Sequence, residues 1–185
     1  PFGKNTAFIF FTLAEMGAAA AVQTAKIINQ AIAEKEEARI MVATGNSQDD
    51  FIAALTNRDD IDWSRVTCFH MDEYIGISEG HSASFRKWLR TRVEEVVHPK
   101  AMHYLAGDAE DIDAEIRRYT ELLMEGPLDA AFVGFGENGH IAFNDPPVAD
   151  FNDPATLKVV TLDEACRKQQ VGEGHFPGLD AVPTQ

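Results

Sequence analysis

Short apolar runs alternate with stretches of helical periodicity along most of this chain, and that alternation restricts it to a sheet built through helical crossovers. Residues 7–11, 40–43, 65–71, 102–105 and 128–135 read as strands, the last being the most apolar, with a weaker candidate at 157–161. Thr12 and Glu15 have the capping-box spacing, and Leu13, Met16, Ala20, Ile27 and Ala31 then recur at helical steps to about residue 34. Ser47 with Asp50 predicts a second helix to about Thr56. Ser82 is placed to cap a third, carrying Phe85, Trp88, Leu89 and Val93. Residues 108–125 form an amphipathic helix with Ile112, Ile116, Tyr119 and Leu123 on one face, and 163–170 a last one. The expected fold is α/β, a largely parallel sheet with helices on both faces. In such sheets ligands sit at the carboxyl ends of the strands.

With 185 residues, 45% of them apolar, the chain is expected to bury one core as a single domain over 1–185. Sixteen basic residues against 30 acidic give a net charge of −14, whose field repels nucleic acid and anionic membranes. A small anionic metabolite is still admissible, because a few backbone N–H groups act locally. Cys68 and Cys166 match neither a disulfide framework nor a CxxC metal site and are read as reduced thiols. The run 7–11 is too short to span a bilayer, so the cytoplasm is the expected location.

Three loops fall at the expected strand ends. Thr44-Gly45-Asn46-Ser47 could aim N–H groups and hydroxyls at an anion, or be an ordinary capped turn. Asp72 and Glu73 close the third strand. There a partly desolvated carboxylate can take a proton from carbon, although solvated acids at a strand end would read the same. A metal reading through His70 fails for lack of further ligands at a diagnostic spacing. Gly136 to Pro146 carries two flexible glycines, Gly136 and Gly139, around His140, a natural proton shuttle near neutral pH. Asp145, five residues on, is a candidate partner for one imidazole nitrogen, while a structural histidine in a Gly-rich turn fits the same letters.

FHMDEYIG (69–76) and GFGENGHIAFNDP (134–146), in this order and spacing, resemble the two signature regions of the glucosamine-6-phosphate deaminase family; ATGNS (43–47) stands where that family has its phosphate loop and VPT (182–184) is similar to a later segment. The resemblance implies a three-layer Rossmann-like sheet and a hexosamine 6-phosphate as substrate. It implies Asp72 as the base moving a proton between C2 and C1, His140 assisting ring opening, and Ser47 with neighbouring backbone holding the phosphate. Glu73, Gly136 and Gly139 join the expected substrate site. No metal or organic cofactor is implied. Assembly with like copies is, and so is a further C-terminal segment beyond residue 185.

Where the family reads DGH and NEP, this chain has Asn138-Gly139-His140 and Asn144-Asp145-Pro146. Asn138 supplies no negative charge and Asp145 has one methylene less reach than Glu, so weaker ring opening is expected. Of the family's basic phosphate ligands only Arg167 aligns, and His175 is expected to face the pocket instead. A 6-phosphogluconolactonase-like hydrolase shares the fold, but lactone hydrolysis has no use for a carbon-proton base at Asp72. A silent sugar-phosphate-binding domain is favoured by Asn138 and opposed by the retained Asp72 and His140.

Overall fold

Parallel strands must be joined by crossovers, and each crossover here contains a helix. In the computed structural model, which describes residues 6–185, β1 (Ala38–Val42), β2 (Val66–His70), β3 (Ala101–His103) and β4 (Ala130–Phe132) form one sheet in the order β3-β2-β1-β4, every pairing parallel. α1 (Leu13–Lys35) precedes β1, and α2 (Asp49–Thr56) joins β1 to β2. α3 (Phe85–Leu89) runs through a wider π-type turn (Arg90–Glu94) into α4 (Glu95–Val97) and leads to β3. α5 (Ile112–Met124) carries the chain across to β4, and α6 (Glu164–Gly172) follows the sheet.

The period of two along each strand separates the layers. Ala38, Ile40, Val42, Val66 and Cys68 share the larger core with Ala25 and Ile28 of α1, Phe51 and Leu55 of α2, and Leu89 and Val93 beyond them. On the opposite face Phe69 packs with Tyr119, while Met41, Leu122 and Leu123 close around it. The fold is therefore the expected three-layer α/β sheet. From β1 the chain steps outward through β2 to β3 and then returns past β1 to β4, which puts the switch point between β1 and β4. The loops leaving those two strands carry Thr44–Ser47 and Gly134–His140, and a Cβ added at Gly134 would lie 3.4 Å from Ser47 Oγ.

Several local expectations are corrected. Residues 7–11 form no strand: Ile9 is 97% and Phe11 101% exposed, because no strand of the sheet runs alongside to satisfy their backbone groups. The Thr12 capping box does form, with Glu15 N donating to Thr12 Oγ1 at 3.1 Å and Thr12 N to Glu15 Oε2 at 3.2 Å. The buried face of α1 differs from the predicted one, since Leu13 and Met16 are exposed while Gly17, Ala21, Thr24, Ala25, Ile28 and Ala31 are covered. The helix packs through small residues. A Cβ on Gly17 would come to 2.8 Å from the Asp50–Phe51 backbone, so glycine is what lets α2 approach this closely.

Ser84, not Ser82, caps α3 by accepting from Lys87 N, and Ser47 does not cap α2, which continues from a 3-10 turn at Asn46–Gln48. The most apolar run contracts to β4, a half-exposed edge strand, and 157–161 makes no strand. Both cysteines are free and buried. Among the described residues no helix is long and apolar enough to cross a membrane.

Candidate active site

Asp72 follows β2 directly, where the sheet opens into a cavity of about 620 Å3 lined also by Tyr74, Gly107, Ile116, Gly139 and Phe143. Tyr119 of α5 fixes the strand end by donating from its hydroxyl to His70 O at 2.6 Å. Burial, and then the neighbouring Glu73 carboxylate, push the Asp72 carboxyl up to about 7. That is the range in which a carboxylate both accepts and returns a proton at neutral pH.

Glu73 has a part beyond the expected one. Its side chain is 1% exposed and accepts from Tyr74 N (3.1 Å), Phe85 N (3.2 Å), Arg86 N (2.9 Å) and Ser84 Oγ (3.0 Å). Burial still holds its carboxyl above the ordinary range despite these donors. Occupied in this way, the carboxylate ties the loop after β2 to the start of α3, and Glu73 is also among the residues lining the cavity. Gly107 completes the clamp: its carbonyl accepts from Gly76 N at 2.7 Å, and a Cβ there would meet Tyr74 O at 2.1 Å.

The loop after β4 folds back on itself, Gly136 N donating to His140 O at 3.0 Å and Gly139 N to Gly136 O at 2.9 Å. Gly139 has φ +84°, and a Cβ at Gly136 would lie 2.2 Å from His140 Cε1. The freedom expected at Gly136 thus serves the imidazole that lies against it, not a ligand. Ala142 and Phe143, at φ 52° and 57°, form a tight left-handed turn closed by Asn144 N donating to Ile141 O. The Phe143 ring then packs 5.6 Å from both His140 and Tyr74.

His140 Nδ1 lies 2.8 Å from Asn138 Oδ1 and 3.0 Å from Asp145 Oδ1. Asn138 Nδ2 donates to Asp145 Oδ1 (2.8 Å) and to Asp163 Oδ2 (3.0 Å), which turns its oxygen toward the imidazole. Two acceptors at Nδ1 assign that nitrogen the proton and leave Nε2 as the free base of the neutral ring. Asp145, fully buried, takes a third donor from Asp163 N at 2.8 Å. The shorter Asp side chain therefore does reach the histidine.

Asp163 was not singled out in the sequence beyond opening a helix. One of its oxygens does cap α6 through Cys166 N at 2.7 Å; the other holds Asn138. A capping Asp two positions past an apolar run was the one legible signal. Cys166 and Gln170, which accepts from the Tyr74 hydroxyl at 2.9 Å, carried none.

Other candidates stand apart. His175 pairs with Glu173 at 3.2 Å and does not line the cavity. Arg167 donates to Leu179 O and Val182 O, so its guanidinium is committed to the chain's own backbone. Thr44, Gly45, Asn46 and Ser47 lie at the switch point, outside the cavity wall, with Gly45 at φ +99°. Lys158 is the one basic residue lining the cavity among those described, and it is held by Asp153 at 2.6 Å.

Residues 12–165 match the profile of the family described as glucosamine-6-phosphate isomerases/6-phosphogluconolactonase. The chain belongs to this family. It is 35% identical over 158 residues to a glucosamine-6-phosphate deaminase of Exiguobacterium sp., covering 85% of this chain and 60% of that protein. To glucosamine-6-phosphate deaminase 1 of Bacillus subtilis it is 32% identical over 165 residues, covering 86% and 66%. The solved structure of a monomeric glucosamine-6-phosphate deaminase superposes with TM-score 0.83 at 30% identity over 94% of this chain and 70% of that one. A 6-phosphogluconolactonase from Shewanella baltica shares the fold, with TM-score 0.66 at 22% identity over 75% and 60%. The chain thus spans about three fifths to two thirds of the length of these curated relatives.

Proposed function

We propose that this family member acts on an amino-sugar phosphate as an isomerase/deaminase, converting glucosamine 6-phosphate and water, or a close analogue, to fructose 6-phosphate and ammonia. The observation that carries the reading is Asp72: a carboxyl raised to about 7 at the end of β2, on the wall of a cavity large enough for a hexose phosphate. Asp72 removes the C2 proton of the open-chain sugar and returns it to C1, so one group is base and then acid. His140, with Nδ1–H held by Asn138 and Asp145, offers Nε2 as the proton acceptor and donor for ring opening.

The phosphate is assigned to Thr44, Gly45, Asn46 and Ser47, because the cavity itself presents Asp72, Glu73, Glu115, Asp150 and Asp153 and would repel a dianion. The reading invokes no metal or organic cofactor. It carries with it a cytoplasmic setting and assembly with like copies, the latter checked by sedimentation.

The test is release of ammonia and fructose 6-phosphate from glucosamine 6-phosphate, with the galactosamine epimer and 6-phosphogluconolactone alongside. Turnover of either amino sugar supports the reading. Turnover of the lactone alone replaces it with a hydrolase, and tight binding without turnover replaces it with a sugar-phosphate sensor.

A further inference from the structure

Behind the cavity wall a third side chain meets the imidazole–carboxylate pair. One donor atom from each of His140, Asp145 and Cys166 lies within 4.8 Å of the other two, and all three residues are buried. Imidazole nitrogen, carboxylate oxygen and thiolate sulfur are the donors that zinc-class ions select, with bonds of roughly 2.0–2.3 Å. Donors on a tetrahedral ion of that size stand roughly 3.2–3.6 Å apart. The 3.0 Å between His140 Nδ1 and Asp145 Oδ1, and separations of no more than 4.8 Å among all three donors, bracket that spacing.

The electrostatics favour a cation. Asp163 stands beside the three donors, its N donating to Asp145 Oδ2 at 2.8 Å and its Oδ1 accepting from Cys166 N at 2.7 Å, so a second carboxylate flanks the cluster. Asn138 Oδ1, 2.8 Å from Nδ1, is placed as a neutral fourth donor.

We propose that His140, Asp145 and Cys166 form a binding site for a zinc-class divalent cation, and that its occupation switches the catalytic centre off. On binding, the Sγ–H bond of Cys166 breaks and its proton passes to solvent, the His140 proton moves from Nδ1 to Nε2 so that the ring stays neutral, and three coordinate bonds form. With Nδ1 bound to the ion and Nε2 carrying the ring proton, the imidazole no longer offers a free base. Only the inhibition rests on the function proposed above; ion binding does not.

The purified protein is titrated with Co2+ as a spectroscopic stand-in for Zn2+. A near-ultraviolet thiolate-to-cobalt band is expected, saturating at one equivalent and displaced by Zn2+. It should vanish in Cys166→Ser and survive in Cys68→Ser. Cys166→Ala is the second variant, should a hydroxyl among these acids impair folding. Absence of the band, or its persistence without Cys166, overturns the site whatever the protein's substrate. In deaminase assays one equivalent of Zn2+ is expected to lower kcat at least tenfold, reversibly by chelator and not in Cys166→Ser. A Cys166-dependent band with unchanged kcat overturns the inhibitory role alone.

Discussion

Asn138 stands between His140 and Asp163, its oxygen 2.8 Å from the imidazole Nδ1 and its nitrogen 3.0 Å from the carboxylate. The relation changes what the missing acid at position 138 means. The neutral amide presents an acceptor to the histidine and both its donors to Asp145 and Asp163, so the negative charges stay in the network one bond further out.

Asn138→Asp should consequently destabilise the protein. Three carboxylates would then face one another with the bridging donor removed, at a cost of about 1–3 kcal/mol. Combining it with Asp163→Asn should restore most of the loss, since asparagine caps α6 as well as aspartate does. Chemical denaturation of the single and double variants measures both effects. An undiminished loss in the double variant would show that repulsion is not the cause.

Asp72→Asn should lower C2 proton exchange by about 10²–10⁴-fold, followed by tritium or deuterium loss from substrate. In the unaltered protein kcat/KM should rise about tenfold per pH unit below about 7 and level off above, as the carboxyl loses its proton. The folded state holds this proton more tightly than the unfolded chain does. Stability from it is present below about pH 4 and lost as pH rises through about 7. Asp72→Asn should therefore gain stability relative to the parent between pH 4 and 8, measured by urea unfolding at each pH.

Gly136→Ala should displace the His140 ring, because the added methyl falls 2.2 Å from Cε1. Loss of about 1–3 kcal/mol in stability is expected for such overpacking. A loss of about 10²-fold in kcat/KM is expected for a misplaced shuttle. If ring opening is its task, an open-chain substrate analogue should recover part of the rate.

Glu73→Gln should cost about 2–3 kcal/mol, since an amide can accept only a share of the four hydrogen bonds the carboxylate takes and leaves donors buried without partners. Were Glu73 a substrate ligand instead, KM would rise while thermal stability held.

Much of the fold was legible because each helix and three of the strands announce themselves locally: the Thr12–Glu15 box, the 3.6 period of α5, the apolar β1 and β2. What failed depended on neighbours. Residues 7–11 have the composition of a strand and no strand beside them, and the run ending at Phe135, read as the most apolar strand, lies at the sheet edge. Large side chains drew the expected face of α1, whereas contact with α2 is made by Gly17 and alanines, which periodic hydrophobicity underweights.

At the site, spacing brought Asp145 to His140 correctly. Asp163 and Cys166 arrive through the return of α6, a long-range contact that no local spacing encodes.

The acidic lining of the cavity also bears on how a ligand arrives. With Asp72, Glu115, Asp150 and Asp153 inside and, among the described residues, the one lysine already neutralised, the interior is a cation-preferring vestibule, while residues 44–47 lie outside its wall. A sugar bearing an ammonium at one end and a phosphate at the other is sorted by that gradient. On the function proposed above, the amine-bearing end would face Asp72 and the phosphate would stay outside the acidic wall.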